Sequence, residues 1–187
     1  MSLLGLPFEL IDVDLAGGAH KKPEFLAINP FGQVPVMVDG DVTQADSNAI
    51  LVYLTLRYAK DAQQWLPTEP VAAAAVQRWL SVAAGLLAFG PATARRITLF
   101  KQAISTDEAV ARSHALFAVM EQQLGASAYL TGAVPTLADI ANYSYTARAP
   151  EGHVSLVSYP HVRAWLARIE ALPGFVPMIK LPIGLPE

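Results

Sequence analysis

NPFGQVPVMVDGDVTQADS, residues Asn29 to Ser47, is the stretch whose reading decides the fold. Asn29-Pro30-Phe31-Gly32 is turn-rich, because proline fixes φ and glycine allows φ > 0. Val34, Val36 and Val38 alternate around Pro35, which predicts a strand. Asp39-Gly40 is a hairpin signal, and Val42-Thr43-Gln44 is the returning strand. Asp46-Ser47 then offers an N-cap to an apolar helical run from Ala49 to Tyr58. Pro35 is the odd residue, since proline cannot donate to a sheet ladder. A cis Val34-Pro35 bond would turn the N–H and C=O of Val34 away from the sheet. They could then pair with an extended peptide. The helix opened by Asp46 and Ser47 attracts an anion to its free N–H groups. The plainer alternatives are an ordinary trans proline at a strand start and a simple N-cap.

The totals narrow the class. The chain has 187 residues, enough for one large domain or two small ones. It is 53% hydrophobic and 16% charged, as a globular chain with a substantial core should be. The net charge of −3 and the lack of a basic patch argue against nucleic acid as a partner. With no cysteine, disulfides, thiolate metal sites and a cysteine nucleophile within this chain are excluded. The four histidines are scattered and lack the spacing of a zinc site. No uncharged run reaches the roughly 20 residues of a membrane span. No signal peptide is read at Met1, so the expected setting is cytoplasmic and membrane-free.

Outward from the central run, Leu3-Leu4-Gly5-Leu6-Pro7 has the form of a helix ending. Phe8 to Leu15 alternates apolar and acidic residues and predicts a strand. Gly17 to Pro23 is a flexible basic loop, followed by a short helix over Pro23–Ala27. The helix over Ser47–Tyr58 is apolar nearly all round and expected to be buried. Residues 60–67 form a polar linker containing Trp65. Pro70 starts a long helix, which Gly90-Pro91 is expected to break or kink. Ser105-x-x-Glu108 and Thr136-x-x-Asp139 are two capping boxes, and Val162, Trp165, Leu166 and Ile169 mark a last helix.

Asn29-Pro30, Gly32-Gln33-Val34-Pro35 and Ala45-Asp46-Ser47-Asn48-Ala49-Ile50 together resemble the glutathione-binding half of glutathione S-transferases of theta-like type. The block Tyr129–Gly132 with Thr136–Asp139 resembles a buried capping segment of the same family. The resemblance implies an α/β plus all-α chain: an incomplete thioredoxin-like N-terminal domain (1–60), a linker (61–67) and an all-helical C-terminal domain (68–187). Family members carry a strand, a loop and most of a helix ahead of the point matched by Met1. The chain is therefore expected to be N-terminally short, with Phe8–Leu15 either pairing directly with the strand after Pro35 or leaving a disordered start. The loop that activates the thiol belongs to that region, so the resemblance assigns no catalytic residue here, and Ser2 is not taken as one.

What the resemblance implies for binding is specific. Val34 and Pro35 would hold the cysteinyl backbone of glutathione. Ser47 would take the γ-glutamyl carboxylate, and Asp46 the ammonium. His20, with Lys21 and Lys22 as substitutes, and Gln33 would serve the glycyl end; the alternative is a solvated basic loop. Asn29 reads as a turn residue and Asp139 as structural. Phe31, Phe89, Arg95, Phe100 and Tyr145 are candidate walls for an electrophilic second substrate. The implied activity is transfer of glutathione to an electrophile by a homodimer. The alternatives are a non-catalytic scaffold of the same fold and a thiol-disulfide or lyase-type relative.

Overall fold

The computed structural model describes residues 1–185. A single turn of 3₁₀ helix, Ser2–Leu4, is closed by Gly5 in the left-handed region at φ 65°. A second such turn, Ala19–Lys21, precedes α1 (Pro23–Ile28), which has proline at its first position. Strands β1 (Val36–Asp39) and β2 (Val42–Ala45) pair antiparallel, with Val36 opposite Ala45 and Asp39 opposite Val42. The hairpin loop is thus Gly40-Asp41, one residue later than the sequence signal, and Gly40 takes the φ of 58° that the turn needs.

α2 (Ser47–Tyr58) packs on this hairpin, with Met37, Ile50 and Leu54 as the small core between them. Asp39 accepts hydrogen bonds from the hydroxyls of Tyr53 and Tyr58 at 2.8 and 2.5 Å, tying the far end of β1 to α2. Those two donors hold the Asp39 carboxyl below the usual carboxylate range.

Two expectations fail in this half. Phe8–Leu15 has no regular secondary structure and does not pair with β1. Alternation supplies a side-chain pattern, but a strand also needs a neighbour for its main chain, and none lies beside it among the described residues. Leu10 is consequently 78% exposed. α2 is not fully buried either: a two-stranded sheet covers only one stripe of it, and Leu56 faces solvent.

Residues 60–67 contain a short helix, α3 (Ala62–Trp65), capped by Asp61. Trp65 packs with Val76, Leu80 and Leu137, the cluster that joins α2 to the helical half. α4 (Pro70–Val82) begins on a Glu69 cap. It does not end at Gly90-Pro91. A π-helical segment, Ala83–Ala92, carries it into α5 (Thr93–Leu99) without interruption. The i→i+5 ladder has a wider turn, and so accommodates a proline that would break an α-helix. Gly90 allows a close approach: a Cβ there would lie 3.1–3.4 Å from Ser113 of α6 (Asp107–Ala126), which would have to give by a few tenths of an ångström. The joined helix, Pro70–Leu99, is long and apolar enough by length and composition to cross a membrane, although the sequence, read for a long uncharged run, offered no span.

α6 starts on Thr106 without a side-chain cap, so the Ser105–Glu108 box does not form. Ser105 accepts from the Asp107 N–H instead, and Glu108 pairs with Arg112 one turn on. The second box does form, at the start of α7 (Leu137–Ala147). α8 (Pro160–Glu170) completes the helical core around Trp165, Tyr143 and Phe117.

Asp139 sits in the middle of this core, fully buried. It accepts from Leu130 N at 2.9 Å, Thr136 N at 2.8 Å and Trp165 Nε1 at 2.8 Å. Burial pushes its carboxyl above the ordinary range, and these donors pull the other way. One side chain thus fixes α7, α8 and the loop at Leu130. Asp139→Ala leaves buried N–H groups without acceptors, each at a cost of about 1–3 kcal/mol. A loss of at least ~3 kcal/mol is expected, read as a fall in denaturant midpoint at constant m. A change under ~1 kcal/mol would remove Asp139 from its structural role.

Candidate functional site

The hairpin register brings the sequence-selected residues together. Val36 opposes Ala45, the last pair of the ladder. Pro35 and Asp46 are the next residues out on the two strands, and Val34 and Ser47 follow them. Directly opposed residues of an antiparallel pair lie only ~4.5–5.5 Å apart at Cα, so the two segments leave the sheet as neighbours. The Val34-Pro35 bond is cis. Neither the N–H nor the C=O of Val34 has a partner among the described residues, and Val34 is exposed.

Asp46 turns the chain from β2 into α2. Its φ of 73° is uncommon for a residue with a side chain, and such a conformation costs on the order of 1–3 kcal/mol. The cap offsets part of this: Asp46 Oδ1 accepts from Asn48 N at 2.9 Å and Ala49 N at 3.0 Å. The second carboxylate oxygen has no partner among the described residues, and neither do the N–H and hydroxyl of Ser47. An N-cap and an unspent set of polar groups therefore coexist at one turn.

The opposite wall is the loop around Gly32. Asn29 is buried; its Nδ2 donates to Gln33 O at 2.8 Å and its Oδ1 accepts from Phe31 N at 3.2 Å. Asn29 is thus the residue that shapes the turn. Lys21 stays exposed, yet its Nζ donates to Gly32 O at 2.8 Å. This bond draws the Ala19–Lys21 turn against the loop. The approach is close: a Cβ on Gly32 would lie 2.9 Å from His20 O. His20 and Gln33 are therefore neighbours. The ring Nδ1 of His20 is buried without a partner, so its hydrogen-bonding capacity is not used by the protein.

The geometry gathers His20, Gln33, Val34, Pro35, Asp46 and Ser47 at one end of the hairpin. Unpaired main chain lies between a helix N-terminus on one side and a histidine on the other. An extended ligand with a carboxylate at each end matches this order of groups. Arg95 does not join any second-substrate wall. It is buried in α5 with its Nε 2.7 Å from Glu151, which also accepts from Leu181 N. Phe31, Phe89, Phe100 and Tyr145 are exposed.

Comparisons with known proteins identify the architecture that carries this site. Residues 1–56 match the family model described as the glutathione S-transferase N-terminal domain, and residues 76–173 match the C-terminal domain. Glutathione S-transferase 3 of Zea mays is 38% identical, over 95% of this chain and 86% of its own length. The chain belongs to the glutathione S-transferase family. Solved glutathione S-transferases share its architecture. One from Pseudomonas fluorescens superposes with a TM-score of 0.87 at 35% identity, covering 96% of this chain and 90% of that one. A glutathione transferase homologue from Drosophila mojavensis, solved with bound glutathione, gives 0.82 at 28% identity, covering 91% and 78%. The α/β half is accordingly the thioredoxin-like glutathione S-transferase domain, and the helices from α4 onward are its all-α companion.

Sequence reasoning missed two features of this candidate site. Lys21 serves the loop carbonyls, a role that no motif signals. Asn48 reaches from the first turn of α2 to Leu80 O at 2.9 Å; it was visible only as a letter of the 45–50 motif.

Proposed function

We propose that this chain binds glutathione along the hairpin end and transfers it, as co-substrate, to a small electrophile. The observation that carries the reading is the adjacency of the unpaired Val34 main chain to the unspent N–H and hydroxyl of Ser47. In this reading Val34 pairs with the cysteinyl unit, with Pro35 shaping the approach. Ser47 takes the γ-glutamyl carboxylate, and the outward Asp46 oxygen takes the ammonium. His20 and Gln33 take the glycyl carboxylate. Charge-assisted bonds of this kind contribute roughly 1.5–3 kcal/mol each. The reaction also needs the thiolate: a thiol near pKa 8.5 is only a few per cent ionised at pH 7, and two units of lowering correspond to ~2.7 kcal/mol. A cytoplasmic setting, where glutathione is kept reduced, belongs to the same proposal. So does the division into residues 1–60, the 61–67 linker and 68–187.

Calorimetric titration tests the binding. Saturable glutathione binding is expected, and Ser47→Ala should weaken it by about tenfold or more, the equivalent of ~1.4 kcal/mol. Unchanged affinity in Ser47→Ala would overturn the assignment. Glutathione addition to an aryl halide, followed by absorbance, tests the transfer. Binding without acceleration over the uncatalysed rate would leave the scaffold reading in place of the enzyme.

We also infer a homodimer. Leu86 and Phe89 stand 57% and 62% exposed on the π-helical segment, in a helix otherwise rich in apolar residues. Large exposed apolar side chains on one element mark an association surface. Sizing chromatography with light scattering should give the dimer mass, and Phe89→Glu should shift it to the monomer. A monomeric wild type would contradict this.

A further inference from the structure

Just before the change from α to π geometry at Ala83, α4 offers the Leu80 carbonyl to Asn48 beside the glutathione site, 32 residues away in sequence. One N–H, that of Ala83, serves the carbonyls of both Trp79 and Leu80. Each carbonyl keeps a lone pair for another donor, and each receives one from an asparagine. Asn142 Nδ2 of α7 donates to Trp79 O at 2.9 Å, and also to Ala138 O at 2.8 Å. Asn48 Nδ2 of α2 donates to Leu80 O at 2.9 Å. The first bond lies wholly within the helical half. The second crosses from the thioredoxin-like half, and it starts one residue after Ser47.

Asn48 is held at both ends. Its main-chain N–H is taken by Asp46 Oδ1 at 2.9 Å, and its side chain by α4. Around it, Leu51 and Val52 of α2 pack against Val76, Leu80 and Leu137. Apolar contacts of this kind are non-directional and permit a helix to roll. A hydrogen bond fixes direction as well as distance. The Asn48 bond therefore sets the rotation of the first turn of α2 about its own axis, and so where Ser47 points.

We propose that Asn48 is a positioning residue for glutathione. It orients the Ser47 N–H and hydroxyl toward the γ-glutamyl carboxylate by anchoring the first turn of α2 to the Leu80 carbonyl. The proposal rests on the glutathione-site reading above and deepens it.

Asn142 provides the control. Asn48→Leu and Asn142→Ala each delete one asparagine-to-carbonyl bond onto successive residues of α4, so both should lower the thermal midpoint. Asn48→Leu keeps the number and branching of the side-chain heavy atoms while removing the N–H donor. Glutathione affinity, measured by calorimetry on each folded variant, separates the roles. Asn48→Leu should weaken glutathione about tenfold, the order expected for losing one aligned hydrogen-bonding pair, while Asn142→Ala stays within about twofold of wild type. Asn48→Ala, with the volume also removed, should weaken it at least as much. If the transfer reaction proceeds, the loss should appear in the KM for glutathione and not in that for the electrophile. Wild-type affinity in Asn48→Leu would overturn the inference and leave the site reading intact. An equal loss in Asn142→Ala would reduce it to general loosening and overturn it too. Absence of glutathione binding by the wild type would overturn the site reading, and this inference with it.

Discussion

The pairing of Val36 with Ala45 is the last of four along a short ladder, and the geometry of the site follows from stopping there. One residue further out, proline on one strand and a positive-φ aspartate on the other both leave the sheet. Had the ladder continued, the Val34 amide and carbonyl would have been consumed by Ser47 or its neighbours. Instead the main chain on one side and the helix N-terminus on the other are left side by side with unspent polar groups. An unpaired polar group is costly when buried, but these lie at the surface, where water satisfies them until a ligand replaces it.

The helical half acts as the platform. Its core is fixed by a single buried carboxylate, Asp139, through three N–H donors from separate parts of the chain. That arrangement fixes α7, and α7 with α4 supplies the surface against which α2 packs. Two side chains then read the α4 carbonyls where its ladder changes. The proposed site is built on the first half of the chain and, through the Asn48 bond to Leu80, is proposed to be oriented by the second. This is why residues 29–58 alone, although they contain most of the proposed ligand-facing groups, are not a sufficient description of it.

Much of this was legible in sequence because local chemistry left little choice. The Gly32 turn, the β1–β2 hairpin, the Asp46 cap and the Thr136–Asp139 box each follow from residues within a few positions of one another. What was not legible depended on partners distant in sequence. Phe8–Leu15 has the alternation of a strand, yet a strand is a property of two segments and the second is absent among the described residues. Gly90-Pro91 reads as a break in an α-helix, but the π ladder admits it; Ser113, whose close approach Gly90 allows, lies on another helix. Ser105 and Glu108 have capping-box spacing, but Arg112 takes the glutamate. Arg95 reads as a pocket residue until Glu151, from a distant turn, neutralises it. The candidate site residues share one short stretch except for His20, which Lys21 brings in through the Gly32 carbonyl.

A crystal structure of this chain soaked or grown with glutathione tests the account most directly. The account predicts the peptide extended beside the hairpin end, with its cysteinyl N–H and C=O within ~2.8–3.0 Å of the Val34 main-chain partners. The γ-glutamyl carboxylate should lie on the Ser47 N–H and hydroxyl. Glutathione bound elsewhere on the molecule, with Val34 and Ser47 contacting only solvent, would contradict it.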